Sequence, residues 1–196
     1  MRWDSLFDDL AGQVQAGERA DLWAGERADL WAEVADLARA GRSEICWVER
    51  CLATSADVHL VLGPQPWAQV TGRCLQAAPQ WLVLRTPAGD ALVPTAAVRA
   101  VRRLPQRSGD LGGTTARRLG LGHVLRRLAR DRVPVAVYTR GLPGELTGTI
   151  DGVGKDHFDL AEHAVDEYRR GDAVRAMVTV PFDGLSVVYV REQNRP

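Results

Sequence analysis

The hydrophobic and polar positions of this chain follow one pattern twice. Residues 44–84 align with residues 120–160 without a gap, at a constant offset of 76. In each copy an amphipathic helical stretch precedes short runs in which apolar and polar residues alternate, which is the pattern of half-buried strands. A self-similar period of this length predicts two copies of one small structural unit.

Each copy is predicted to consist of a helix and five short strands. In the first copy the helix falls near 43–54 and the strands are predicted at 58–62, 67–75, 80–85, 91–93 and 98–104. In the second copy the helix is predicted at 116–130, because apolar residues recur at i, i+3, i+4 and i+7 from Leu121. Its strands are predicted at 134–139, 145–151, 158–162, 176–180 and 185–190. Gly72 and Gly148 hold equivalent positions in the long second strands, where we expect a sharp bend.

The first 42 residues have a different, helical pattern and contain a tandem octapeptide. Residues 16–23 and 24–31 both read AGERADLW. Eight residues advance a helix by about 800°, so the second copy is rotated by about 80° from the first. A helix locked into a core along its whole length does not accept such an insertion easily, which predicts a solvent-facing arm. Its large apolar residues are candidate partner-binding positions: Trp3, Phe7, Leu10, Trp23 and Trp31.

These patterns divide the chain into an acidic helical arm at 1–42, a first module at 43–104 and a second module at 116–191. Residues 105–115 read as a flexible linker, because they are rich in Gly, Pro and Ser. Residues 192–196 form a tail. Residues 163–174 lengthen one hairpin loop of the second module, so the offset between the copies grows from 76 to 87 beyond it.

Basic and acidic residues are equal in number over the whole chain, but they are unevenly distributed along it. The 25 basic and 25 acidic residues give a formal net charge of zero, which argues against a generic polyanion binder. Residues 99–132, however, contain ten Arg and two Asp, whereas residues 1–56 contain eleven acids and six Arg. The basic cluster predicts either contacts with nucleic-acid phosphates or a solvated helix face paired with the acidic arm. Its candidate residues are Arg103, Arg117, Arg118, Arg126, Arg127, Arg130 and Arg132.

No arrangement typical of catalysis stands out. The sequence has no G-x-S-x-G, P-loop or dinucleotide fingerprint, and its three cysteines lack metal-ligand spacing. His157 and His163 lie among acidic residues, but their alternation is the ordinary pattern of a half-exposed strand. We therefore expect no enzyme activity, no metal and no cofactor. No apolar run reaches the roughly 18 residues of a membrane span, and a cytoplasmic protein is predicted.

Several motifs point to a fold family. Each copy has a Gly-x-apolar strand opening, at 72–74 and 148–150, and a later apolar-Pro step at 93–94 and 180–181. With the leading helix, this order resembles the Sm/LSm barrel of the bacterial RNA chaperone Hfq and the spliceosomal Sm proteins. The whole chain also looks like a group of actinobacterial proteins with an acidic helical N-terminus and two such barrels. The resemblance implies an α+β, mainly β fold: an N-terminal helix followed by two small five-stranded Sm-like (SH3-like) barrels, each preceded by a helix.

The RNA-binding residues of that family match poorly. Its Asp-x-apolar-Asn loop corresponds to residues 156–159, where Asp159 replaces Asn, and to residues 80–83, where both polar positions are lost. A carboxylate accepts hydrogen bonds but donates none to a base, and it repels phosphate. Sm-style base binding is therefore not expected, although Trp67 and Trp81 are either base-stacking or core residues.

Two functional hypotheses follow. The first is a non-catalytic interaction scaffold or regulator whose helical arm associates with another protein or with its own copy. The second is a nucleic-acid-associated regulator that uses the Arg-rich region. If one copy binds a ligand, the second is favoured, because it alone keeps the polar loop and carries the Arg-rich helix.

Overall fold

The computed structural model describes residues 45–107, 119–163 and 175–190, together with residues 27, 30–34 and 36. Contacts divide the chain into two compact units, Met1–Ile45 and Cys46–Pro196. In the first unit the described residues between 27 and 36 are helical and exposed to solvent. The second unit contains both copies of the repeat. The predicted tail and most of the predicted linker and of the 163–174 insertion lie outside the described residues.

The second unit is built mainly of strands. The first copy contributes β1 (Val58–Val61), β2 (Gln69–Ala78), β3 (Trp81–Thr86), β4 (Gly89–Pro94) and β5 (Ala100–Arg102). The second copy contributes β6 (Pro134–Thr139), β7 (Leu146–Val153), β8 (His157–Glu162), β9 (Ala176–Pro181) and β10 (Leu185–Val190). Each strand predicted from alternation overlaps one of these. Helix α1 (Trp47–Leu52) contacts β2, and helix α2 (Leu121–Arg130) contacts β7.

All ten strands belong to one antiparallel sheet. Their order is β5-β1-β2-β3-β4-β10-β6-β7-β8-β9, so the two copies meet where β4 pairs with β10. In this central join Leu92 lies opposite Val188 and Asp90 lies opposite Val190. The expectation of two separate five-stranded barrels, each preceded by a helix, is therefore wrong. The cause is a pairing between β4 and β10, which lie almost one hundred residues apart in the chain.

The hydrophobic cores also cross the central join. Ala78, Trp81 and Leu92 of the first copy are buried in one cluster with Leu125 and Phe158 of the second copy. Conversely, Val187 of the second copy belongs to the cluster that the first copy forms. Burial of these side chains removes apolar surface from water only if the two copies stay together.

The two copies nevertheless share local features of strand pairing. A bulge interrupts the β2–β3 register between Cys74 and Gln76, and another interrupts the β7–β8 register between Ile150 and Gly152. Both bulges thus obey the offset of 76. Gly72 and Gly148 obey it too: a Cβ atom at either position would collide with a backbone carbonyl of the neighbouring strand. Glycine is required at both positions because the strands approach so closely.

Within the described parts of the chain, none of the helices combines the length and the apolar character that a bilayer span requires.

Candidate interaction surfaces

Helix α2 separates an apolar face from an Arg-rich face, as its sequence predicts. Leu121 and Leu125 are buried, and Val124 and Leu128 pack partly buried against the same cluster. Arg126, Arg127 and Arg130 are exposed. Arg127 and Arg130 both approach Asp131, at 3.9 and 3.5 Å. Three arginines against this one carboxylate leave the face with a net positive charge.

The remaining candidate arginines are not gathered on this helix. Arg132 follows α2 with a φ of 47°, and Arg103 follows β5 with a φ of 61°. β5 pairs with β1, whereas α2 contacts β7, so Arg103 belongs to a different part of the sheet. Arg117 and Arg118 lie outside the described residues. The described candidates that share one element are therefore Arg126, Arg127 and Arg130.

Two side chains of the first copy hold the start of α2. The Trp81 indole Nε1 donates to the Leu119 carbonyl oxygen at 2.7 Å. The Gln80 side-chain oxygen accepts a hydrogen bond from the Leu121 backbone N–H at 3.1 Å, which satisfies one of the donors that a helix start leaves unpaired. Trp81 is 4% exposed, so its core role is confirmed. The side chain of Trp67 lies outside the described set.

The polar loop of the second copy is exposed. Asp156 and His157 are hydrogen-bonded at 2.8 Å, and this bond holds the pKa of Asp156 below its usual value. Asp159 accepts a hydrogen bond from the Thr179 hydroxyl at 2.6 Å, so it serves the pairing of β8 with β9. Among the residues that the structure describes, no group of three or more His, Cys, Asp and Glu side chains is placed to hold a metal ion.

The cysteines differ in accessibility. Cys46 is exposed, whereas Cys51 and Cys74 are buried, and all three are free thiols. Burial raises the pKa of Cys51 to about 11 and that of Cys74 to about 12. Both buried thiols are therefore protonated at neutral pH and behave as small apolar side chains.

The described part of the arm presents an apolar face. Leu30, Trp31 and Val34 are 60%, 69% and 54% exposed, and their helical spacing places them on one side. Exposed large apolar residues that cluster in this way are typical of protein-binding surfaces. Of the candidate partner-binding residues, Trp31 is exposed, while Trp3, Phe7, Leu10 and Trp23 lie outside the described residues.

The sheet ends in β5 on one side and in β9 on the other. Within the described residues, β5 pairs only with β1 and β9 pairs only with β8. An edge strand offers backbone N–H and C=O groups to an added strand. Met177 on β9 is 55% exposed, and the strand has a mostly exposed pattern.

Comparison of the chain with protein-family models, with curated proteins and with solved structures gives no match. The function is therefore inferred from the surfaces described above.

Sequence reasoning missed the cavity that Arg99 and Arg140 line between the two copies. Arg140 and Arg99 are isolated in the sequence, each near a turn, and no periodic pattern marks them. The one available signal is that Arg140 directly follows an almost uniformly apolar strand, β6.

Proposed function

We propose that this protein is a non-catalytic interaction scaffold that associates with further copies of itself. The observation that carries the proposal is the repetition within the sheet. The two copies are joined by β4 and β10, and the strands equivalent to these, β9 and β5, stand at the two ends. A second chain that repeats the same join adds its β5 beside β9 of the first, which is a common mode of strand addition.

The repeat also fixes the register of this pairing. Beyond the insertion the two copies are offset by 87, so Met177 is equivalent to Asp90 and Val190 is equivalent to Arg103. Because Asp90 lies opposite Val190 in the central join, Met177 is expected beside Arg103 of the second chain, the residue that directly follows β5. The contact is head to tail, so it either closes into a ring or continues into a filament.

The arm supplies a second surface for association. Leu30, Trp31 and Val34 form an exposed apolar face, and the side-chain area they offer is of the kind that helix pairing buries. The three free cysteines support a reducing compartment such as the cytoplasm as the place where this association occurs.

Two substitutions of the same exposed residue test the proposed contact. Met177→Lys places a positive charge beside Arg103 and is expected to lower the association constant by up to about fivefold, because like charges across a strand pair destabilise it by up to about 1 kcal/mol. Met177→Glu places the opposite charge there and is expected to preserve or strengthen association. Light scattering over a concentration series measures both, with the unaltered chain as reference.

The outcome distinguishes the two surfaces. If the unaltered chain stays monomeric at every concentration, self-association is excluded. If Met177→Lys and Met177→Glu associate equally while Trp31→Ser abolishes association, the arm and not the sheet edge makes the contact.

A second function, nucleic-acid binding, is favoured by the exposed arginines of α2. Arg126 donates through Nη2 to the Gly154 carbonyl oxygen at 3.2 Å, which positions it beside the polar loop. Arg127 and Arg130 have side chains that are 77% and 75% exposed. Guanidinium groups that project from one helix face can contact successive phosphates of a nucleic-acid strand.

The double substitution Arg127→Gln, Arg130→Gln is expected to weaken RNA or DNA binding in gel-shift titrations at low salt. Loss of two phosphate contacts also lowers the slope of log affinity against log salt by about 2. Arg73→Gln, on the exposed side of β2, is the matched control. Absence of any shift with the unaltered protein at low salt excludes this function.

A further inference from the structure

A cavity of about 240 Å³ lies where the two copies meet. One wall is apolar and comes from the segment after β1, with Leu62, Pro64 and Ala68. Arg99, Arg140 and Ser186 are polar residues of the lining, and they come from both copies. None of the residues that line it is Asp or Glu. The lining therefore includes two arginines and no acidic residue to balance their charge.

Two hydrogen bonds hold Arg140, and the second of them connects the two copies. Its backbone N–H donates to the Gly184 carbonyl oxygen at 2.8 Å. Its Nη2 donates to the carbonyl oxygen of Ala96, in the first copy, at 2.7 Å. The Nε atom is shielded from water and has no hydrogen-bond partner, which is rare for a buried donor in a folded protein. In the guanidinium group, Nη2 is thus held by a hydrogen bond, whereas Nε has no partner.

Arg99 brings the second charge to the same cavity. Its backbone N–H donates to the Val61 carbonyl oxygen at 2.8 Å, which fixes the base of the side chain, while the side chain itself is exposed. Two arginines that line one small space carry like charges, and an anion bound between them would offset their repulsion. An oxyanion is the ligand that fits, because its oxygen atoms accept from both groups at once.

We propose that this cavity binds a small oxyanion, through its phosphate or carboxylate group, between Arg99 and Arg140. The unsatisfied Nε of Arg140 is a further donor on this side chain, and Ser186 also lines the cavity. The volume is below the roughly 300–1,000 Å³ of sites for drug-sized molecules, so the ligand is small. Any short carbon skeleton would lie against Leu62, Pro64 and Ala68. This site is independent of the sheet ends and of the arm.

The test is thermal unfolding of the full chain with inorganic phosphate or with acetate, each compared with potassium chloride at equal ionic strength. A ligand that binds only the folded state raises the midpoint, by about 5 °C when its concentration is roughly one hundred times Kd. A rise with phosphate alone identifies a phosphate site, and a rise with acetate alone identifies a carboxylate site. No rise above the chloride reference with either anion overturns the proposal.

Variants locate the effect. Arg99→Gln removes one guanidinium group from an exposed position and is expected to abolish the rise without unfolding the protein. Arg130→Gln, on the exposed face of α2, removes the same charge elsewhere and is expected to leave the rise intact. An equal loss in both variants, or in neither, overturns the proposal, because the anion then does not act through this cavity. Amide resonances of Gly63 and Gly141, which line the cavity, are expected to shift on titration with the anion that raises the midpoint.

Discussion

Replacing Trp81 with Ala is expected to lower the free energy of unfolding by about 3–5 kcal/mol and to destabilise both copies of the repeat together. Trp81 belongs to β3 of the first copy, but it is buried in the cluster that contains Leu125 and Phe158 of the second copy. Its loss therefore leaves a cavity that both copies line. It also leaves the Leu119 carbonyl oxygen without its indole donor.

Two comparison variants separate these contributions. Trp81→Phe keeps most of the apolar volume but removes the hydrogen bond, and it is expected to cost more than the roughly 1 kcal/mol of that bond alone because the smaller ring also leaves a gap. Trp31→Ala removes an exposed Trp from the arm and is expected to change the unfolding free energy by less than about 0.5 kcal/mol. Urea denaturation followed by circular dichroism measures all three. A loss below about 1 kcal/mol for Trp81→Ala would contradict the shared core.

The second large effect is expected from Gly148→Ala, at a cost of about 3 kcal/mol. The added methyl group would meet the Ala161 carbonyl oxygen and carbon of β8. Because that carbonyl belongs to a paired strand, relief requires a shift of backbone in the β7–β8 ladder and not merely a rotation of a side chain. Gly72→Ala, its equivalent in the first copy, meets the Arg85 carbonyl and is expected to behave alike.

Gly184→Ala is the matched control. Nothing lies within 4 Å of a Cβ atom at Gly184, so the same chemical change meets open space. There it reduces only the entropy of the unfolded chain, and a neutral or slightly stabilising effect of up to about 1 kcal/mol is expected. Thermal unfolding of both variants measures the difference. Equal midpoints for Gly148→Ala and Gly184→Ala would show that the strands do not approach as closely as described.

The sequence predicted the strands and the repeat because both depend on local pattern. Alternation of apolar and polar residues marks a strand wherever it pairs, and the glycines at 72 and 148 mark a close approach that any bent strand creates. The apolar stripe of α2 likewise predicted which face is buried. These signals report the surroundings of a strand or helix but not the identity of its neighbour.

The central join could not be predicted for that reason. The apolar residues of β4 and β10 are buried whether each copy closes on itself or pairs with the other. Trp81 was the one indication of contact between the copies, because a large aromatic residue occupies the position that His157 has in the second copy. In the structure its indole donates a hydrogen bond to the Leu119 carbonyl oxygen, just before α2.

The candidate surfaces were predictable in part. The positions of Arg127 and Arg130 follow from helical spacing, and so does the exposed side of Trp31. Arg99 and Arg140 are distant in sequence, and only the packing of the two copies brings both to one cavity. When the tertiary structure brings together residues that are far apart in the chain, the sequence shows no repeating pattern that would reveal the site.

The most direct test of the single-sheet account is a urea titration of the unaltered chain and of Trp81→Ala, followed by amide-resolved NMR. Amides of β2 and β3 in the first copy and of β7 and β8 in the second are expected to lose their folded signals at one common midpoint. In Trp81→Ala both sets are expected to move to the same lower midpoint. Two separate midpoints, or a shift confined to the first copy, would contradict the account, because the copies would then be independent domains.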